Sequence, residues 1–216
     1  MIEFFSSHGS DLITAIGEHV LLSSISLALG IIVAVPLGVL LSQTDKVADI
    51  VIGITGVFQT VPTLALLALM IPLFGVGKIP SVIALFIYSL LPILRNSYLG
   101  MKSVDPVVID AAKGMGMTTK QLIFKVELPL AVPVIMAGIR LSAVYVIAWT
   151  TIAAYIGGGG LGELIFNGLD TFRPDLILGG TIPVIILAIL TDILAGVIEK
   201  KLSPRTSSSK EGTEYA

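Results

Sequence analysis

The chain has 216 residues, 55% of them hydrophobic and 13% charged, with a mean hydropathy of +0.98 and a formal net charge of −2. A soluble domain of this length needs a charged surface that these residues cannot supply, and so small a net charge excludes a nucleic-acid partner held by electrostatics. With no cysteine, disulfides, thiolate metal sites and cysteine nucleophiles are excluded too.

The apolar residues come in long blocks, which points to an all-α integral membrane protein. Glu3 is present and no Lys or Arg precedes Lys46, so the basic start of a secretory signal peptide is missing. Residues 1–19 read as an extracytoplasmic N-terminal segment. His8 and His19 within it have no third ligand nearby and read as surface residues rather than metal ligands.

Five segments reach the roughly 20 apolar residues that a crossing helix needs. The first runs from Val20 to Leu41. The second runs from Ile50 to Phe74, interrupted by Pro62 and Pro72. The third, from Ser81 to about Leu99, contains Pro92 and ends with Arg95 near one interface. The fourth spans about Leu130 to Ile156 and the fifth about Leu176 to Ile198. Turn signals separate them at Thr44-Asp45-Lys46, at Gly75 to Pro80 and at Phe172-Arg173-Pro174-Asp175. One side receives Lys46, Arg95, Lys102, Lys113, Lys120, Lys125, Lys200, Lys201, Arg205 and Lys210. The other receives Lys78 and Arg173, and Arg140 lies within a span. The bias predicts the N-terminus outside and the C-terminus in the cytoplasm. Residues 20–202 then form the five-span domain, with a cytoplasmic loop over about 103–127. Residues 203–216 form a polar, Ser-rich, disordered cytoplasmic tail.

That loop is the most informative stretch. Asp105 can cap a helix, Pro106 suits the first helical position, and Asp110 falls near the positive helix end. Val108, Ala111 and Ala112 make a small-residue face. Gly114 and Gly116 break the helix, and Leu122, Ile123 and Val126 form a second apolar stripe before Pro129 starts the fourth span. The pattern predicts a short helix–turn–helix at the membrane surface, with a compact face that fits a partner's groove.

Asp110-Ala111-Ala112, Gly116, Val126 and Leu128-Pro129 match the full spacing of the "EAA" motif and resemble binding-protein-dependent ABC importer permeases. Asp stands for the usual Glu and Val for the usual Ile. The resemblance implies a type I permease fold and a loop that couples to a cytoplasmic ABC ATPase dimer, with ATP and Mg on that partner and no cofactor on this chain. It also implies a separate extracytoplasmic solute-binding protein and a second permease chain, identical or homologous, in the bacterial cytoplasmic membrane. Pro36-Leu37-Gly38, Gln59-Thr60-Val61-Pro62, Leu91-Pro92-Ile93-Leu94-Arg95-Asn96 and the glycine-rich run from Ala154 to Leu169 are similar to permeases for glycine betaine, carnitine and choline. Methionine-importer permeases share the size and span number and are the alternative.

No Gly-x-x-x-x-Gly-Lys-Ser/Thr loop is present, so nothing here cradles ATP and the chain reads as non-catalytic. Gly157, Gly159 and Gly162 fit G-x-G-x-x-G, but a dinucleotide site needs a strand before it. After an apolar span they read instead as the break ending span four. Leu161–Leu169 then follows as a short helix, either interfacial or re-entrant near the outer mouth.

Ionisable residues inside spans are functional candidates by default. At roughly 1.5 Å per residue, Arg140 lies about 16 Å beyond Pro129 and Asp192 about 12 Å before Lys200. Arg140 either pairs with Asp192 between spans four and five or meets a substrate carboxylate. Gln59, Thr60, Pro62, Trp149, Thr150 and Tyr155 are candidate pathway-lining residues, with Trp149 or Tyr155 able to offer a ring face to a quaternary ammonium. Against that, Thr can bond its own helix and Tyr155 can sit in the aromatic belt. An ion-coupled secondary transporter would need intramembrane carboxylates, of which only Asp192 is offered. A membrane enzyme would need a catalytic cluster that the sequence lacks.

Overall fold

The structure, a computed structural model, describes the backbone of residues 2–202 and the side chains of residues 9–202. The expected disordered tail and the side chain of His8 lie outside the described residues. Among the described residues the chain is helical throughout, with no strand. The helices are α1 (Ile2–Leu41), α2 (Asp45–Thr60), α3 (Thr63–Phe74), α4 (Lys78–Lys102), α5 (Pro106–Gly114), α6 (Thr119–Leu122), α7 (Leu128–Ala153), α8 (Leu161–Asp170) and α9 (Pro174–Leu202). A π turn (Ile123–Glu127) joins α6 to α7, and a 3-10 turn (Ala154–Ile156) follows α7.

Four stretches are long and apolar enough to cross a membrane: residues 9–41, α4, residues 119–156 and α9. A fifth exists only if α2 and α3 are one broken span, for they bend by 97°. The bend follows from Pro62, which opens α3 and holds Val61 extended at φ −68°, ψ 129°. Pro72 stays inside α3 and does not interrupt it. The second arm of the predicted surface helix–turn–helix is also different from expectation. It runs through the π turn straight into α7 instead of ending at Pro129.

α1 passes without a break through residue 20. His19, expected at the surface, is 0% exposed, with Nε2 at 3.0 Å from the Ile147 carbonyl of α7. This corrects the surface reading. Leu12, Ala15, His19, Leu22 and Ser26 are all buried, so the inward helical face begins well before the apolar block does.

α4 is the central helix. α1 lies parallel to it, and α7 lies antiparallel on another side. A Cβ on Gly38 would sit 2.5 Å from the Ser97 Cβ and 2.9 Å from the Leu94 carbonyl oxygen, so α1 and α4 touch backbone to backbone. Gly30 meets Ser89 in the same way, and Gly138 of α7 meets Asn96 and the Pro92 carbonyl. Hydroxyls cross the same seams, with Ser26 donating to the Val82 carbonyl at 3.3 Å and Ser142 to the Ser89 carbonyl at 3.1 Å. Small residues and interhelical hydroxyl bonds are what hold helices together in an apolar medium.

Both ends of the bundle are tied by charge. At one end Glu18 accepts from Lys78 Nζ at 2.7 Å and from the Gly160 N–H at 3.1 Å. At the other, Asp45 meets Lys102 Nζ at 2.6 Å and accepts from the Tyr98 hydroxyl at 3.1 Å. α8 folds back on α9 and α1, burying Leu161 and Leu164 with Leu12, Ala15 and Leu176.

Gly38→Ala should destabilise the purified protein by about 1–3 kcal/mol through overpacking. Gly53→Ala, whose Cβ has nothing within 4 Å, should not. Comparing their thermal aggregation in detergent checks this, and equal behaviour would contradict the close approach of α1 and α4.

Candidate functional site

Residues 103–127 make a compact double turn stabilised at every joint. Asp105 Oδ1 accepts from the Val107 N–H at 2.8 Å and Pro106 takes the first helical position, so α5 starts with its orphan donors partly satisfied. At its end the Met117 N–H bonds the Ala112 carbonyl at 3.2 Å and the Gly116 N–H bonds the Lys113 carbonyl at 2.9 Å. That is a Schellman closure, and it needs the left-handed residue that Gly116 supplies at φ +80°. Thr118 and Gln121 then form a capping box for α6, with the Thr118 N–H to Gln121 Oε1 at 2.9 Å. The spacing Thr-x-x-Gln carries this signal in the sequence, although it was not among the residues singled out above.

The predicted small-residue face divides. Ala112 is 2% exposed and packs inward, whereas Val107, Val108 and Met115 stand exposed with Ala111 and Asp110. Val107, Ala111 and Met115 recur every four residues, so they line one stripe that runs along α5 to the residue capping its end. Val126 and Leu128 are half-buried and Pro129 is exposed. Leu128 and Ile123 pack on Val39, Met101, Ala131 and Ile135 where α1, α4 and α7 meet. The exposed stripe is thus mounted on a rigid base. Glu127, also not anticipated, is buried in the π turn.

The α2–α3 elbow holds the next three candidates. Gln59 is half-buried, while Thr60 and Pro62 are exposed. The Thr60 hydroxyl bonds the Val57 carbonyl of its own helix at 2.7 Å. The elbow is latched to α4 by the Tyr88 hydroxyl, which donates to the Val61 carbonyl at 2.6 Å. Tyr88 in turn contacts Trp149, with ring centroids 4.8 Å apart, and Trp149 contacts Tyr145 at 5.3 Å. Thr150 is fully buried and bonds the Val146 carbonyl, so it faces the bundle interior rather than an open face. Tyr155 is exposed and lies edge-on to Phe166 of α8, with centroids 5.6 Å apart, away from Trp149. Tyr88 was not anticipated, because its meeting with Trp149 depends on the register of α4 against α7, whereas Tyr145, four residues before Trp149 on α7, was legible from helical spacing and was missed.

Arg140 and Asp192 come together as a bidentate pair. Arg140 Nε and Nη2 donate to the two Asp192 oxygens, each at 2.6 Å. Glu199 Oε2 adds a second carboxylate at 3.7 Å from Nη1. The Arg140 and Asp192 side chains keep 39% and 42% of their exposure. They border a cavity of about 510 Å³ with Asn96, Ala137, Leu141, Val144 and Glu199. Glu199 escaped the sequence reading because its height beside Arg140 appears only once α7 and α9 are docked. Among the described residues no group of three or more His, Cys, Asp or Glu is placed to hold a metal.

Residues 26–207 match the family described as the binding-protein-dependent transport system inner membrane component. The chain is 54% identical over 215 residues to the carnitine transport permease protein of Listeria monocytogenes, covering 99% of each. It is 52% identical over 205 residues to the glycine betaine/carnitine/choline transport system permease protein of Bacillus subtilis (strain 168), covering 95% of this chain and 94% of that one. In three dimensions it resembles a methionine ABC transporter solved in an inward-facing conformation, with a TM-score of 0.82 over 89% of this chain and 96% of that one. The identity there is 21%, a likeness of fold alone.

Neutralising Arg140 removes the cation that both Asp192 and Glu199 approach, while neutralising Asp192 leaves Arg140 beside Glu199. Arg140→Gln should therefore reduce the yield of folded membrane protein several-fold, and Asp192→Asn less. Fluorescence-detected gel filtration of tagged variants checks the order, and two harmless single variants would reject a structural role for the pair.

Proposed function

We propose, from the premise that this chain belongs to the family of binding-protein-dependent transport system inner membrane components, that it carries a quaternary ammonium compatible solute inward across the membrane. The chain is the permease subunit of an ABC importer with the type I permease fold. The solute class is glycine betaine, carnitine or choline. One observation carries that choice: relatives with those printed substrates are more than half identical to this chain along nearly its whole length. A methionine or other amino-acid importer is the alternative. Its support is a likeness of fold at 21% identity, which says nothing of the solute.

The mechanism proposed is alternating access. A separate binding protein delivers the solute to the outer face. The exposed stripe of Val107, Ala111 and Met115, with Asp110 beside it, docks in a cleft of a cytoplasmic ATPase dimer, which holds ATP and Mg. When the ATPase subunits close on ATP they displace the docked loops, and this chain with a second permease, identical or homologous, opens outward. Hydrolysis resets the pair. The free energy comes from the partner's differential affinity for ATP in its two states, so this chain needs no catalytic group. The N-terminus outside and the loop inside follow from the ten basic residues gathered on one side. The Arg140–Asp192 pair is read as a structural tie between spans four and five. The apolar skin of α1 and α9 meets lipid.

Two measurements test this. Uptake of labelled glycine betaine and labelled methionine is compared at high osmolarity in cells with and without this gene, alongside its own binding protein and ATPase. Loss of betaine uptake alone is expected, and loss of methionine uptake alone would keep the importer and overturn the solute. Separately, Gly116→Asp should insert normally yet lose most uptake. A side chain at φ +80° is strained, less so for Asp than for most residues, and Asp also places a negative charge in the turn that docks. Normal transport by this variant would contradict the docking assignment.

A further inference from the structure

The break between α2 and α3 is exposed on this chain and bears on where a pathway can run. Tyr88, which latches the elbow through the Val61 carbonyl, lies about 15 Å along α4 from Lys78 and about 21 Å from Lys102, at roughly 1.5 Å per residue. The hydrocarbon core is about 30 Å thick, so the elbow sits near mid-depth. Non-helical backbone is tolerated there only where protein covers it or it lines a water-filled cavity. Thr60 and Pro62 at this elbow are exposed on this chain. This face is therefore turned away from lipid, against the second permease or onto the route between the two, and the rings beside it favour the route.

Directly against the elbow's latch stand the three rings. Tyr88 is 2% exposed and serves as the base. Trp149 is half-buried and Tyr145 keeps 40% exposure. The Tyr145 and Trp149 rings are inclined to each other by 44°, so the pair can offer two ring faces at an angle to one cation. A quaternary ammonium has no N–H to donate, so hydrogen-bond acceptors cannot select it. Ring faces can, through the attraction of their quadrupole for a cation. The carboxylate of Asp192, on the neighbouring part of this wall, is already held by Arg140.

We propose that Tyr145 and Trp149, buttressed by Tyr88 beneath the α2–α3 elbow, form a transient cation-binding surface in the translocation pathway that takes the quaternary ammonium group of the solute. This rests on the solute class argued above. The site is shallow and built from two ring faces, so it holds the solute weakly, as a station that must also release it requires. Tyr155, the other ring that the sequence offered, stands against Phe166 of α8 and takes no part in this surface.

The complete importer, reconstituted in liposomes with its ATPase and binding protein, tests the proposal by labelled choline imported per ATP hydrolysed. Tyr145→Leu and Trp149→Leu should each lower that ratio about three- to tenfold. Tyr145→Phe and Trp149→Phe, which keep a ring face, should recover most of the loss. An unchanged ratio in the Leu variants overturns the site, and so does an equal loss in the Phe variants. A second readout needs no transport. Trp149 is the single tryptophan of the chain, so subtracting the emission of the Trp149→Phe complex isolates it. Millimolar choline should alter that difference signal and equal potassium chloride should not; no choline-specific change also overturns the site. A wild-type importer that moves no quaternary ammonium at all is a separate failure, of the solute class, and is seen before any variant is made.

Discussion

Helices in an apolar medium gain little from burying apolar side chains against one another, so they hold together by close contact and by hydrogen bonds across the seam. In this chain that contact is concentrated on α4, where Gly30 and Gly38 of α1 and Gly138 of α7 bring backbones within a side chain's thickness. Everything else is positioned by that sandwich. α4 sets the height of Tyr88 and so of the elbow. It places Asn96 beside Arg140, and at its Lys102 end it receives both Asp45 and the base of the exposed loop. A change that separates α1 from α4 would therefore disturb the elbow, the charged cavity and the loop together, though none of them contains the glycine concerned.

Against this rigid centre, α2 and α3 are attached differently. α2 packs on α1 and α4 around Ala48, while α3 packs on α4 and α7 around Leu66, Leu67 and Met70. Between them the chain has a proline, an extended residue and one hydrogen bond from Tyr88. The two arms thus belong to different packing units and share a joint. On the proposed mechanism, a joint of this kind lets one arm follow its unit while the other stays, which a straight span through the same region would forbid.

Much of this was legible from local chemistry. The start of α5 follows from Asp105-Pro106 and its end from the glycines, because caps are satisfied within a few residues of chain and owe nothing to the fold. The capping box of Thr118 and Gln121 is equally local. The elbow at Pro62 was visible as an interruption, but its 97° angle was not, since Pro72 has the same sequence signal and leaves α3 intact. The difference lies in what surrounds them. Pro62 falls where two packing units diverge, and Pro72 falls at the last turn of one. His19 was misplaced because an apolar block was taken to define a helix's buried extent. The buried face of α1 in fact continues for two turns beyond the block, with a histidine on it. The place of Tyr88 in the aromatic row was beyond reach for another reason. Tyr88 and Trp149 are distant in sequence, and no periodicity fixes how far α7 slides along α4.

The join between the exposed loop and the bundle decides how a push on the loop would be felt. Had α6 ended at Pro129, the loop would be a separate surface element, and displacing it could leave the spans in place. Instead the chain is helical from Thr119 to Ile156, with the Leu128 N–H bonded to the Ile123 carbonyl through the π turn. Pro129 does not break it, because the π turn just before it shifts the hydrogen-bond ladder at the point where the proline supplies no donor. A displacement at α5 is then carried by the same helix that holds Arg140, Tyr145 and Trp149. The stiffness of that helix sets the lever. The π turn sets its give, since one extra residue per turn loosens the hydrogen-bond ladder at the point where loop becomes span. On the proposed reading, α5, which senses ATP, reaches the wall that meets the solute through one short turn at Gly116 and one continuous helix.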